Sequence, residues 1–300
     1  MSDISDALRF IPADDRDVWV RMAMAIKSEL GDSGWDVWAQ WSENDDRWKE
    51  RDAKVVWRSI RAHGGIGIGS LYHLARQGGW TGTEPEQSPV DYAKRRAERA
   101  AEDRRFAAQQ EREWNKAAER AQRLVSDSAI GTHQYLAEKG FPNERGLIHG
   151  QALLIPMRSM DNRKVQSIQQ IWRGADGFQK KFLPGGRARG SVFAMGSERA
   201  AVLCEGFATG LSIREALRAV YWPARVVVCF SAGNLTHVAK RIGGFVVADN
   251  DASGTGQKAA EATGLPWWMP PETGTDANDF HLAHGARALA RELTQMRRAA

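Results

Sequence analysis

Between residues 14 and 61 the apolar positions recur at helical spacing. Val18, Met22, Ala25 and Ile26 form one stripe, and Val55, Val56, Trp57 and Ile60 form another. Gly31-Asp-Ser-Gly34 separates the first stripe from a piece holding Trp35, Trp38 and Trp41. His63 to Gly69 reads as a flexible turn, Ser70 as the N-cap of a helix over Leu71–Arg76, and Gly78-Gly79 as its end. Residues 81–88 have linker composition. From Pro89 to Val125 the chain is rich in Ala, Glu, Arg and Gln with almost no β-branched residue, which predicts one long helix. Its apolar positions, Tyr92, Phe106, Trp114 and Leu124, are sparse, so it reads as a solvated connector.

The period then changes. Leu153–Arg158, Val165–Ile171 and Lys181–Pro184 are short strand-like pieces separated by turns. After Gly196 continuous apolar runs, Ala200–Cys204, Val226–Phe230 and Phe245–Ala248, alternate with helical stretches near 208–220, 235–242 and 255–263. That alternation predicts an α/β fold, a parallel sheet covered by helices on both faces. Four segments follow: an all-α domain at 1–81, a linker and connector helix at 82–125, a small mixed α+β subdomain at 126–197, and the parallel sheet at 198–300.

Composition sharpens this picture at three points. Seven of the 12 Trp precede residue 81, which makes them the expected core of the helical domain. Cys204 and Cys229 lie in apolar runs and are expected to be buried thiols, with no zinc clip. The formal charge is +5, and the whole excess sits in residues 126–195, where 10 Lys and Arg face 5 Asp and Glu. A polyanion would meet that stretch first. No apolar run is long enough to span a membrane and the first residues carry acids, so the expected location is cytoplasmic.

In parallel sheets functional groups gather at the carboxyl ends of the strands. Glu205 follows the first apolar strand, Asp249 and Asp251 follow the third, and Asp276 and Asp279 lie in a later loop. Alone, an Asp-x-Asp pair also reads as turn chemistry. Together, such carboxylates repel one another unless hard cations neutralise them, which favours Mg²⁺ or Mn²⁺ over zinc and suits phosphoryl transfer. Gly254-Thr-Gly-Gln-Lys258 lacks the ending of an ATP-binding phosphate loop.

In this order, Glu205-Gly206, Asp249-Asn-Asp-Ala-Ser-Gly254 and Asp276-Ala-Asn-Asp279 resemble the three motifs of the Toprim domain shared by bacterial-type primases, topoisomerases and some nucleases. Leu153–Arg158, Lys180-Lys-Phe-Leu-Pro184 and Ser191–Gly196 are similar to the basic subdomain of bacterial replicative primases. The Trp-rich start, with Ile66-Gly-Ile-Gly-Ser-Leu and Gly-Gly-Trp80, resembles the helical accessory domain named for primase C-termini.

The resemblance implies a primase of phage or mobile-element type, a nucleotidyltransferase making short RNA primers on single-stranded DNA from nucleoside triphosphates. It implies Glu205, Asp249 and Asp251 as catalytic groups, and Asp276 with them as ligands of Mg²⁺ or Mn²⁺. Arg158 and Lys181 would bind template or nucleotide, with Arg187 and Arg189 in support. Ser231 and Asn234 either form a turn and helix cap or give hydrogen bonds to phosphate. A replicative helicase is an expected partner, and no membrane is. The zinc-binding module of replicative primases is not expected among residues that hold no cysteine pair, and Asn278 stands where many primases have a second acid. Two other readings remain: a Toprim-class nuclease, in which the same carboxylates direct water, and a non-catalytic replication adaptor binding DNA and a helicase.

Overall fold

The computed structural model describes residues 2–45, 48–60, 66–83, 89–196 and 199–299. They form two compact units, Met1–Phe106 and Ala107–Ala300. Part of the turn at 63–69 and most of the linker at 81–88 fall outside the described residues.

The first unit is helical: α1 (Ser2–Leu8), α2 (Arg16–Leu30), α3 (Trp35–Ser42), α4 (Glu50–Ser59), α5 (Ile68–Gln77) and the start of α6 (Pro89–Ser126). Helix α2 begins where it does because the Asp15 carboxylate accepts from the amides of Asp17 and Val18 at 2.8 and 2.9 Å. The tryptophans are the core, as expected. Trp38 is fully buried, stacks on Trp57 at 5.3 Å, and meets Trp35 and Trp48 edge-on. Some of their polar edges find partners inside, Trp19 Nε1 donating to Ser42 Oγ and Trp41 Nε1 to the Ile11 carbonyl, while the buried Trp80 Nε1 has none among the described residues. Ser70 is not a cap: α5 starts two residues earlier with Gly67 at its N-cap, and Ser70 sits in the first turn.

The second unit is built on one ten-stranded sheet. Its first part holds β1 (Ala129–Gly131), β2 (Gly146–His149), β3 (Ala152–Ser159), β4 (Val165–Gly174) and β5 (Gly177–Phe182), all antiparallel, with the short α7 (Gln134–Glu138) after β1. Strand β6 (Ser191–Met195) pairs antiparallel with the end of β3 on one side and with β8 (Arg225–Val228) on the other, and so joins the two parts. Beyond it β8, β7 (Ala201–Cys204), β9 (Phe245–Val247) and β10 (Trp267–Trp268) are parallel.

Helices α8 (Phe207–Ala219), α11 (Ala277–His284) and α12 (Ala286–Ala299) cover one face of the parallel part through Ile213, Leu217, Leu289 and Leu293. Helices α9 (Ala232–Ile242) and α10 (Thr255–Glu261) cover the other through Leu235, Val238 and Ala260. This is the predicted α/β layering. Cys204 and Cys229 are buried thiols in it. Among the described residues no helix is long and apolar enough to cross a membrane.

The end of α6 departs from expectation. Ala117 and Ala121 are buried, and Ala121 packs with Leu154, Ile168 and Leu183 on one face of the antiparallel part. Alanines four apart present little apolar area in a sequence, yet their small size lets helix and sheet approach closely. These turns of the helix are therefore docked and not solvated.

Candidate active site

The parallel strands run in the order β8-β7-β9-β10. The connection from β7 goes to one neighbour and the connection from β8 crosses to the other, so the carboxyl ends of β7 and β9 flank the topological switch point. Glu205 follows β7 directly, and Asp249 lies two residues beyond β9. The Asp276 loop is tied to them: the Asn250 amide donates to the Thr275 carbonyl at 3.0 Å, and Asn250 Nδ2 to the Pro270 carbonyl at 2.9 Å.

The four carboxylates are held differently. Asp251 folds back on its own loop, accepting from the side chain and amide of Ser253, from the Thr255 amide, and from the Gly256 amide at 2.8 Å. Those bonds, the Ser253 hydroxyl first, bring its carboxyl down to about 2. Asp276 is the N-cap of α11 in a capping box with Asp279, and its second oxygen accepts from Thr209 Oγ1 at 3.1 Å. Asp251 thus does the turn work that an Asp-x-Asp pair also suggested, and Asp276 caps a helix, while both keep unshared lone pairs.

Asp249 has no such support. Its Oδ1 is buried without a hydrogen-bond partner. Burial first, then the charges of Asp276 and Glu205, push its carboxyl up to about 7, against the opposing charge of Lys180. Glu205 is raised too, by burial and then Asp251, with the Ala232 amide opposing. The loop geometry rests on Gly254, at φ +67°, and on Gly256, where a Cβ would stand 2.2 Å from the Asp249 carbonyl oxygen.

A buried, unpartnered carboxylate oxygen beside three further acids is a donor set that a hard divalent cation fits. Among the described residues no three His, Cys, Asp or Glu gather into a ready-made cage. Mg²⁺ asks for less, since it keeps several waters and takes one or two carboxylates.

The bases divide by sheet face. In the β4–β5 register Lys180 is opposite Ile171, whose side chain packs with Tyr135, Phe207 and Ala208, and Lys181 is opposite Gln170. Lys180 therefore lies on the face covered by α7 and the start of α8, its Nζ 5.2 Å from the Tyr135 ring centroid, and its charge reaches Asp249. Lys181 lies on the other face, over Trp172 at 5.8 Å. The sequence reading singled out Lys181 and passed over Lys180. The missed signal is the pairing partner, which decides the face and cannot be read from two adjacent lysines.

Arg158 is exposed on β3 and donates to the Arg163 carbonyl at the β3–β4 turn. Arg187 lies over the Trp114 ring at 4.7 Å, and Arg189 is 3.5 Å from His237 Nδ1. None of these three is brought to the carboxylates by a described contact. Asn234 is 6% exposed; its Oδ1 accepts from the Gly190 amide, and its Nδ2 donates to the carbonyls of Ser191 and Cys229, all at 2.8 Å. It positions the loop that carries Arg187 and Arg189. Ser231 caps α9, just after Phe230 takes the left-handed conformation at φ +69°. Asn278 is fully buried and donates to the Lys139 carbonyl and to Ser212 Oγ, where a carboxylate would face a carbonyl oxygen.

Comparison with known proteins matches residues 4–75 to the family model described as Primase C terminal 2 (PriCT-2), and residues 200–287 to that of the Toprim domain. No curated protein matches the chain. Among solved structures, a DNA primase domain from Pseudomonas aeruginosa is 14% identical over 55% of this chain and 56% of its own, with a TM-score of 0.36. The DnaG catalytic core is 14% identical over 70% of this chain and 74% of its own, with a TM-score of 0.35. The chain thus matches PriCT-2 in its first unit and Toprim in its second, a pair of domains that fits a Toprim primase carrying a PriCT domain.

Proposed function

We propose that the chain is a DNA primase, joining nucleoside triphosphates into short RNA primers on single-stranded DNA during phage- or plasmid-type replication. The observation that carries this reading is the buried, unpartnered Oδ1 of Asp249 at the switch point, among Glu205, Asp251 and Asp276. Glu205 and Asp249 would hold Mg²⁺, with Asp251 and Asp276 lending their remaining lone pairs. When bound, the ion supplies Lewis-acid activation of the primer 3′-hydroxyl and charge neutralisation on the departing pyrophosphate. Thr209 and the α11 amides keep Asp276 oriented, and the Ser253–Gly256 turn keeps Asp251 oriented and ionised. Lys180, seated on Tyr135, offers a positive charge to the triphosphate from the opposite side. Arg158, Lys181, Arg187 and Arg189 would take the template.

Incubating the protein with Mg²⁺, single-stranded templates and labelled ribonucleotides tests this reading. New short RNA supports it, whereas shortening of the DNA without synthesis favours the nuclease. Lys180→Gln is expected to raise KM for nucleotide about tenfold, the cost of one charge-assisted hydrogen bond, and Lys181→Gln to raise it less. Steady-state kinetics with varied nucleotide at saturating template reads the difference.

A further inference from the structure

The five tryptophans after residue 106 are placed in two ways. Trp222, Trp267 and Trp268 join the cores around the parallel strands. Trp114 and Trp172 belong to none of the core clusters, are half-buried, and each carries a cation on its ring: Arg187 on Trp114 and Lys181 on Trp172.

Both lie on the same side of the antiparallel part. Trp172 shares the face of Ile168, which packs against α6, and Trp114 is one turn before Ala117 on the docked stripe of that helix. The loop between them is fastened down. Arg120 donates to the Pro184 carbonyl at 2.8 Å, Ser191 Oγ donates to the Arg187 carbonyl at 2.7 Å, and Asn234 holds Gly190. The cations are thus presented on a braced loop and a paired strand, on the face opposite to Lys180 and its neighbours.

We propose that this outer face, between the end of α6 and strands β4 and β5, binds single-stranded nucleic acid, with bases stacking on Trp114 and Trp172 and phosphates held by Lys181 and Arg187. Flat aromatic faces paired with cations suit unstacked bases, which a duplex does not offer. The primase reading supplies the identity of the strand, its template, and the inference rests on it for that. The surface itself is read from the two tryptophans and their cations. Helix α6 becomes one wall of the track, a role its balanced charge did not suggest.

The test is binding of a fluorescein-labelled oligo-dT to the full chain by anisotropy, without nucleotide or divalent cation. Lys181→Gln with Arg187→Gln is expected to weaken binding about tenfold and to flatten the salt dependence by about 1.4 in the log–log slope, the value for two phosphate contacts on a single strand. Trp172→Ala is expected to weaken it about fivefold or more. Photo-crosslinking of a bromodeoxyuridine oligonucleotide to the unaltered protein, mapped by mass spectrometry, avoids any folding defect and should mark Trp114 or Trp172. Unchanged affinity in the double variant, crosslinks confined to other residues, or equal affinity for a duplex of the same length overturns the proposal. Strand binding as described with no primer synthesis would leave the track standing and remove the primase reading.

Discussion

Asp249→Asn is expected to abolish primer synthesis and, in the same protein, to raise the melting temperature of the metal-free chain. The loss should be on the order of a thousandfold, since Asp249 alone of the four site carboxylates has a buried oxygen without a partner among the described residues, and that oxygen is open to a metal ion. The gain follows from linkage. The folded chain holds the Asp249 proton up to about pH 7, well above the ordinary aspartate value of 3.8. The unfolded chain releases it near pH 4, so between these values the folded state binds more protons and its stability falls as pH rises. The benefit of a neutral side chain is therefore absent near pH 4, grows through pH 7, and is complete at pH 8. There it should amount to about 2–4 kcal/mol, roughly 5 °C or more for a unit of this size. Added Mg²⁺ should raise the melting temperature of the unaltered chain above pH 7 and do little for the variant. Equal Mg²⁺ stabilisation of both, or a melting difference that does not change with pH, would contradict this account.

Asn234→Ala is expected to destabilise the second unit by about 2–5 kcal/mol in urea unfolding. The substitution strands the Gly190 amide and the carbonyls of Ser191 and Cys229, and each buried polar group left alone costs about 1–3 kcal/mol. The loop carrying Arg187 and Arg189 loses its brace, so oligonucleotide affinity should fall along with stability. If Asn234 instead served a phosphate directly, the variant would keep its stability and lose nucleotide affinity alone. The two outcomes are separable by running urea titrations and nucleotide binding on the same preparation.

Several features of the fold were legible in the residues because they depend on local periods. The long helix from Pro89, the apolar β-strands of the parallel part and the tryptophan core of the first unit all follow from spacing and composition. The acidic set was legible for a related reason: in an alternating β/α chain the residue after each buried strand falls at one edge of the sheet, whatever the details of packing. Glu205 and Asp249 are found there.

Other features depend on partners far away in sequence. The docking of Ala117 and Ala121 requires a sheet face that only assembly supplies. The role of Asn234 is set by Gly190 and Ser191, some forty residues distant, and nothing beside Asn234 in the chain announces them.

What the sequence by itself determined is the α/β class, the helical first unit, the placing of Glu205 and Asp249 at one edge of the sheet and the stretch that carries the positive charge. Only the tertiary structure decided how that charge is divided. Strand alternation makes Lys180 and Lys181 point to opposite faces, but which face meets the carboxylates depends on the register with β4 and on what packs beneath it. It decided the same for the acids: four carboxylates are close in kind, yet Asp251 and Asp276 are satisfied by turn and cap amides, and Asp249 is left buried with an oxygen that nothing in the protein serves.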